Sequence, residues 1–440
     1  MPVRGEALKR LLTVLILTLL PVLAAGNVQL LVQPDDGVQP LIDLIDGAES
    51  SIRIKMYLWT PSRMDVVEAL GRAVERGVNV RVLLEREPAG GRPSMEVISA
   101  LRDRGVDLRL SKPFRFVFVH EKSMVIDDRV AWFGSGNLTG STFKANREYM
   151  IVTDRADWVA EIARVFDADW RGERIDLSRA HLVWSPDRVM RGVREGNARE
   201  KVLDLIRGAR STLFLEQAGM VDEEVIAALE DAVRRGVNVR LVGSPADPGE
   251  NTYFVPGAER LRKAGVRLRY LPSPYVHAKV IVADGNTALV GSINMSQSSM
   301  NANRELGAIL TATGEPEAFF RLLRTMEADW KSARPDNPFL LPPVEGVIPW
   351  TEAPKYYGRV VTVEGRIAAV ESRTSVAFLK FADTPDAFRL VFFPRVYGQF
   401  DQPFPEAYLG KRVWATGRVK IYAGYYEIII NSPNQLEVLP

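Results

Sequence analysis

The chain has 440 residues, 46% of them hydrophobic and 25% charged, with a formal net charge of +2. That is enough for two or three domains with a large core, and too little charge to argue by itself for a nucleic-acid partner. Cysteine is absent and histidine occurs only three times, which excludes disulfides, thiolate catalysis and Cys-ligated metals.

Arg4, Lys9 and Arg10 precede an apolar run over 11–25, and Leu23-Ala24-Ala25-Gly26 offers small residues for cleavage. The run is shorter than the roughly 20 residues of a membrane span, and Pro21 sits within it. Residues 1–26 are therefore expected to be a signal peptide, with an uncleaved membrane anchor as the alternative. Either places the protein outside the cytosol: secreted, periplasmic or at the cell envelope.

Residues 27–175 form a first repeat. Residues 47–59 read as a turn into a strand. Over 65–76, Val66, Leu70, Ala73 and Val74 share one helical face, and Gly77 ends the helix. VNVRVLLE follows as a strand, then a helix over 94–104 and the strand VDLRL. This β-α-β-α-β order predicts a largely parallel sheet covered by helices. The block VHEKSMVIDDRVAWFGSGNLTGSTFKANRE comes next. In it His120, Lys122 and Asp127 are spaced H-x-K-x4-D, Gly134, Ser135 and Asn137 read G-S-x-N, and Asn146-Arg147-Glu148 close the block.

Residues 176–333 repeat the plan. DAVRRGVNVRLVG matches RAVERGVNVRVLL, and both repeats end in Ala-Asp-Trp. The second block, YVHAKVIVADGNTALVGSINMSQSSMNANRE, sets His277, Lys279, Asp284, Gly291, Ser292, Asn294 and Asn303-Arg304-Glu305 at a constant offset of 157 residues from the first. A period this long is a domain duplication, not a solenoid. Pseudo-two-fold symmetry would bring both blocks to one cleft. The third histidine, His181, has no counterpart and reads as a linker or surface residue.

On a strand, residues i and i+2 share a face, so each motif His projects beside its Lys. Imidazole serves as nucleophile or acid/base near neutral pH, and lysine is a point charge suited to a phosphate oxygen. Two copies set two His, two Lys and two Asn around one tetrahedral group.

The doubled motif resembles that of the phospholipase D superfamily, over roughly residues 28–330. The resemblance implies an α/β fold of two duplicated phospholipase D-like α/β/α domains with a shared active-site cleft. It implies a phosphoric diester hydrolase working through a covalent phosphohistidine, with no metal and no cofactor. His120 would be the nucleophile and His277 the acid/base. Lys122, Lys279, Asn137 and Asn294 would hold the charge on the phosphoryl oxygens, with Ser135 and Ser292 as helpers in the same turns. Glu148 and Glu305 would accept a hydrogen bond from the motif histidines. Asp127 and Asp284 complete the motif at the far end of its strand and read as structural. No protein partner is implied, and two motifs in one chain suit a monomer.

Pro335, Pro338, Pro342, Pro343 and Pro349 mark residues 334–349 as an extended, semi-rigid linker. Residues 350–440 read as five strands, over 359–371, 376–382, 387–393, 412–421 and 425–430, with Gly365 as a bulge in the first. They resemble an OB-fold, a small all-β barrel. Tyr422, Tyr425, Tyr426 and Lys420 are its candidate substrate contacts, since such barrels bind oligonucleotides on an aromatic and basic face. The barrel and the leader together point first to an exported nuclease with nucleic acid as substrate. The alternative is a phospholipase D or phosphatidyltransferase of cardiolipin synthase type, acting on phospholipid. A non-catalytic nucleic-acid-binding protein is the third reading, disfavoured by two complete motifs.

Overall fold

A computed structural model describes residues 26–440, apart from 89, 90, 113, 114, 248, 250 and 423. Of the expected leader, all but Gly26 lies outside the described residues. Short Val- and Ile-rich runs form the strands of the first repeat: β1 (Val28–Gln33), β2 (Ser51–Met56), β3 (Asn79–Leu84), β4 (Asp107–Leu110), β5 (Ser123–Ile126), β6 (Val130–Gly134) and β7 (Asn146–Thr153). Their order in the sheet is β1-β7-β6-β5-β2-β3-β4. β2, β3 and β4 run parallel, joined by the helices Met64–Glu75 and Met95–Asp103. Gly77 and Gly105 end these helices at φ of 89° and 79°, the left-handed stop that glycine adopts without strain.

The other half of the sheet is antiparallel. The sheet is thus mixed, where the element order had suggested a largely parallel one. The cause is local: Asp127 and Asp128 take φ of 54° and 53°, a tight turn that sends the motif strand β5 straight back as β6. A hairpin replaces the crossover helix that parallel pairing needs.

The second repeat follows as β8 (Val183–Ser185), the small hairpin β9 (Val189–Met190) and β10 (Val193–Arg194), β11 (Thr212–Gln217), β12 (Asn238–Gly243), β13 (Arg267–Tyr270), β14 (Tyr275–Val276), β15 (Lys279–Ala283), β16 (Thr287–Gly291) and β17 (Glu305–Thr311). Its sheet order, β13-β12-β11-β15-β16-β17-β8, reproduces the first. β14 leaves this sheet and pairs in parallel with β7 of the first repeat. The mirror contact is a parallel bridge from Val119 to Arg304. So the residue before each motif histidine lies against the Asn-Arg-Glu triplet of the other repeat.

Three large apolar cores hold this body, beside a small cluster of Leu83, Phe166 and Trp170. Two lie within the individual repeats. The third is shared, with Phe133, Ile151, Ile162 and Trp158 of the first repeat packed with Val280, Val290, Leu322 and Trp330 of the second. Full burial of one such aliphatic side chain stabilises by about 1.5–3 kcal/mol, so packing alone ties the halves together. Among the described residues no helix is long and apolar enough to cross a membrane.

The segment expected as a spacer is instead docked. The Asn337 amide donates to the Ala246 carbonyl at 2.9 Å, and β18 (Val347–Pro349) joins the barrel sheet. The barrel has β19 (Val360–Arg366), β20 (Ala369–Arg373), β21 (Val376–Lys380), β22 (Arg389–Phe392), β23 (Arg412–Tyr422) and β24 (Tyr425–Ile430), with β25 (Leu436–Val438) at its edge. β19 and β20 are one bent strand, which pairs with β23 at one end and β21 at the other. β22 pairs in parallel with β24, and β24 antiparallel with β23, which closes a five-stranded barrel of OB type. Gly365 is no bulge, because it stays in register opposite Val413. Its reason is steric: a Cβ there would lie 2.5 Å from the rings of Phe381 and Trp350, which stack across it at 5.9 Å.

Candidate active site

Each motif histidine follows the short segment that crosses to the other repeat, so its ring meets a glutamate from that repeat. His120 Nδ1 lies 2.7 Å from Glu305 Oε2, and His277 Nδ1 lies 2.8 Å from Glu148 Oε1. A carboxylate on Nδ1 keeps the proton there and leaves Nε2 with a free lone pair. The exchange is symmetric. Sequence had paired histidines with glutamates without saying across which boundary.

The Asn-Arg-Glu triplet explains why the crossing is rigid. Asn303 donates to Glu305 at 3.1 Å, and Asn146 to Glu148 at 3.3 Å. Arg304 binds Asp169 through two nitrogens at 2.9 and 3.1 Å, and Arg147 binds Asp329 at 2.6 and 3.1 Å. These aspartates are the middle residues of the two Ala-Asp-Trp endings, which sequence had read only as a mark of repetition. Each arginine thus bolts its block to the last helix of the other half, with planar, bidentate geometry. Burial alone would raise the Asp169 carboxyl, but Arg304 and Lys55 hold it down at about 2.

The lysines point back at their histidines. Lys122 Nζ donates to the His120 carbonyl and Lys279 Nζ to the His277 carbonyl. Lys279 Nζ also lies 3.0 and 3.2 Å from the two ring nitrogens of His277. Burial pushes the His120 imidazole down to about 4, against the pull of Glu305, and Lys122 adds to the fall. Burial likewise lowers His277, pushes Lys122 well below its ordinary range and brings Lys279 to about 8. Without an anion in the cleft both imidazoles therefore favour the neutral form near pH 7. An anionic phosphodiester would pair the lysines and raise the histidine that must act as an acid.

Asn137 and Asn294 are each 8% exposed, and each keeps an amide oxygen without a partner among the described residues. Buried polar atoms are ordinarily paired, so these carboxamides are left for a ligand. Ser135 and Ser292 differ from the expectation. Both are buried. Ser292 Oγ donates to Glu305 at 2.6 Å and accepts from the Leu306 N–H at 3.1 Å. Ser135 accepts from the Tyr149 N–H at 3.0 Å. They brace the glutamate strands rather than face a substrate.

Asp127 and Asp284 stand apart from the cleft. The motif strand carries each of them five residues beyond its lysine, about 17 Å at strand rise. Asp127 accepts from the N–H groups of Glu49, Ser50 and Ser51 at 2.7–2.8 Å, and Asp284 accepts from those of Arg210, Ser211 and Thr212. They fasten the turn before β2 and β11. His181 is exposed, on the surface beside Asp157 at 3.8 Å.

Two neighbours of the site were not found from sequence. The Tyr57 ring lies edge-on to His120 at 4.5 Å, with Lys122 over its face at 4.9 Å. Lys55 is fully buried between Glu121 at 2.8 Å and Asp169 at 2.9 Å. Lys55 lies near the end of β2 and Tyr57 just past it, where the signal was present as a lysine among the buried Ile54 and Met56. Among the described residues no cluster of histidine and carboxylates is placed to hold a metal ion.

On the barrel, the Arg389 guanidinium lies over Phe378 at 4.5 Å and Tyr425 at 4.4 Å. These residues and Tyr422 line a groove of about 850 Å³ with Arg373 and Lys380. Lys420 pairs opposite Glu427, which lines the groove, so it shares that face. Tyr426 does not, because strand alternation turns it toward the barrel core, against which it packs.

Residues 41–170 and 202–330 each match the family described as "Cardiolipin synthase, PLD-like domain". The chain is 25% identical over 351 residues to the cardiolipin synthase of Geobacillus kaustophilus, a match covering 71% of this chain and 68% of that protein. Among solved structures it resembles the phosphatidylserine synthase of Haemophilus influenzae, with a TM-score of 0.54 at 11% identity over 71% of this chain and 88% of that one. It also resembles the polyphosphate kinase of Porphyromonas gingivalis, with a TM-score of 0.53 at 18% identity over 69% of this chain and 50% of that one. At such identities the structural likeness is one of fold alone. The matched segments contain both histidine blocks and the crossed glutamates, and by them the chain belongs to the phospholipase D superfamily.

Proposed function

We propose that the protein is a phosphatidyltransferase or phospholipase D, moving the phosphatidyl group of a phospholipid between alcohols or to water. The observation that carries the chemistry is the crossed pair of His–Glu contacts, which engages Nδ1 of each ring and leaves Nε2 to act on a phosphodiester. His120 Nε2 attacks phosphorus, and His277 gives its Nε2 proton to the departing alkoxide. Lys122, Lys279, Asn137 and Asn294 offset the charge on the phosphoryl oxygens. The now neutral His277 then takes the proton of the incoming alcohol or water as the P–N bond to His120 breaks. The likeness to cardiolipin synthases supports phospholipid over nucleic acid as substrate. The apolar run over 11–25 supports export to the envelope, where phospholipid is at hand.

Nucleic acid as substrate remains the second reading, favoured by the barrel groove. Stacked rings under arginine suit unpaired bases. Turnover of phosphatidylglycerol vesicles, plasmid and single strands, measured side by side, decides between them. Release of glycerol from vesicles with intact nucleic acids is the result expected. Cleaved strands with untouched vesicles would reverse the choice.

A further inference from the structure

The loop after β12 connects the barrel to His277. Ser244 Oγ accepts from the N–H of Val276, the residue before His277, at 2.7 Å. The next three residues of the loop meet the barrel and its linker. The Tyr357 hydroxyl lies 3.5 Å from the Pro245 carbonyl, Asn337 donates to the Ala246 carbonyl at 2.9 Å, and Arg418 lies 3.9 Å from the Asp247 carboxylate. This seat is tightly made. Tyr357 packs edge-on against Phe339 at 5.6 Å, and Arg418 lies over the Phe339 ring at 5.3 Å. Gly358 takes φ of 82°, and a Cβ there would come within 2.8 Å of Pro338.

The first repeat shows what this arrangement replaces. There Glu85 stands for Ser244 and accepts from the Val119 N–H at 2.6 Å. Its aromatic wall comes from within the repeat: Tyr57 lies against both His120 and Phe118. In the second repeat the position of Tyr57 is Ala218, and that of Phe118 is Tyr275, which is 43% exposed. Burial, and the neighbouring Tyr275 and Tyr426 phenols, push the Tyr357 hydroxyl well above its ordinary range. So the barrel sets Tyr357 on the loop that holds the backbone ahead of His277, in the half-site that lost its own aromatic wall.

We propose that the barrel is the missing wall of the cleft on the His277 side, and that Tyr275 and Tyr357 select the alcohol that exchanges there. The inference rests on the two-histidine mechanism above and names residues that hold its alcohol acceptor, for which glycerol is the probe. The ring faces pack the carbon chain of the acceptor, and its hydroxyl reaches His277 Nε2. That hydroxyl loses its proton to His277, its oxygen bonds phosphorus, and the P–N bond to His120 breaks. Water gains nothing from such a wall.

The test uses the full chain with bis(4-nitrophenyl) phosphate and added glycerol. The first nitrophenol released reports attack by His120. The ratio of glyceryl 4-nitrophenyl phosphate to 4-nitrophenyl phosphate then reports the choice of acceptor. Tyr357→Ala is expected to lower that ratio about fivefold, the scale of one lost aromatic contact, with the first release rate unchanged. Tyr357→Phe, which keeps the ring, is expected to retain the ratio. Tyr275→Ala, on the other side of the wall and outside the barrel seat, is expected to act like Tyr357→Ala. An unchanged ratio in both alanine variants, equal loss of release and transfer, or no glycerol transfer by the wild type would overturn the proposal. A wild type that makes the glyceryl diester but leaves phosphatidylglycerol vesicles intact fails the phospholipid reading alone.

Discussion

Around His120 stand Tyr57 and Phe118, with Lys55 between Glu121 and Asp169 beneath. Around His277 the corresponding positions hold Ala218, Tyr275, Glu216 and Ala278. Beneath that half-site the Tyr149 hydroxyl donates to Glu216 at 2.8 Å, and burial raises the Glu216 carboxyl to about 8. One half therefore rests on a charged cluster, the other on a neutral carboxyl–phenol pair. The His120 side chain is 11% exposed and that of His277 25%. Residues that face phosphorus have kept their identity in both halves, because both must meet the same tetrahedral group. Residues one layer back have diverged, which suits the different work proposed for the two histidines. The crossed glutamates mean that neither half is a working site without the other.

That dependence sets the largest expected effect. His120→Ala and His277→Ala should each lower kcat for a natural diester by about 10⁴-fold or more, since groups that act as a unit fail together. Both variants should melt near the wild-type temperature. One variant turning over at a near-normal rate would break the comparison by making a half-site self-sufficient.

Exchanging one glutamate at a time sharpens it. Glu305→Gln and Glu148→Gln should each cost about 10²-fold or more, the usual worth of an oriented acid or base. They should differ in pH dependence. Glu305 raises the His120 imidazole, so its loss should move the acid limb of kcat/KM downward, while Glu148→Gln leaves that limb in place. In the wild type the acid limb of kcat/KM should fall near pH 4, where His120 becomes protonated; the alkaline limb should begin as His277, lowered by burial, loses the proton it must give, and steepen above about pH 8 as Lys279 loses its charge. A shift of that limb in Glu148→Gln and none in Glu305→Gln would mean that the glutamates serve their own repeats, contrary to the geometry.

Asp127 separates motif membership from chemistry. Asp127→Ala removes a carboxylate that caps three backbone N–H groups, and should cost about 1–2 kcal/mol of stability, as lost caps do, with kcat unchanged. Burial would raise the Asp127 carboxyl, but the N–H groups of Ser51, Glu49 and Ser50 hold it below its ordinary value. Its stabilisation is thus present above the unfolded Asp range and lost as pH falls through the folded value. The wild-type minus variant difference in melting temperature should therefore shrink in acid. A large fall in kcat would return Asp127 to the catalytic set. The smallest expected effect is none at all: exhaustive chelation with EDTA should leave turnover unchanged, because lysines supply the positive charge. Activity lost to EDTA and restored by Mg²⁺ or Zn²⁺ would contradict this.

Much of this was readable in the chain. Nine positions recurring at one offset gave the duplication and both histidines, and five short strand-like runs over 359–430 gave the barrel. What was hidden is contact across the symmetry axis. Nothing in the spacing of His120 and Glu148 says that each serves the other half, because the crossing depends on β14 leaving its own sheet. Ser135 and Ser292 sit in the motif turns, yet burial commits them to the glutamate strands. The mixed sheet was missed because element order does not record that Asp127 turns the strand back on itself. The linker was misread because composition shows its prolines but not the seat of Pro338 against Gly358 or of Asn337 against Ala246.

The claim that two unlike half-sites share one phosphorus is tested most directly by trapping the covalent intermediate. Bis(4-nitrophenyl) phosphate labelled at phosphorus needs no acid to expel nitrophenol, so attack proceeds even where His277 is absent. After a basic quench, which preserves phosphohistidine, peptide mapping should place the label on His120 alone. His277→Ala should hold that label longer than the wild type, for want of a base to activate the acceptor, and His120→Ala should carry none. Label on His277, on both histidines or on neither would contradict the assignment.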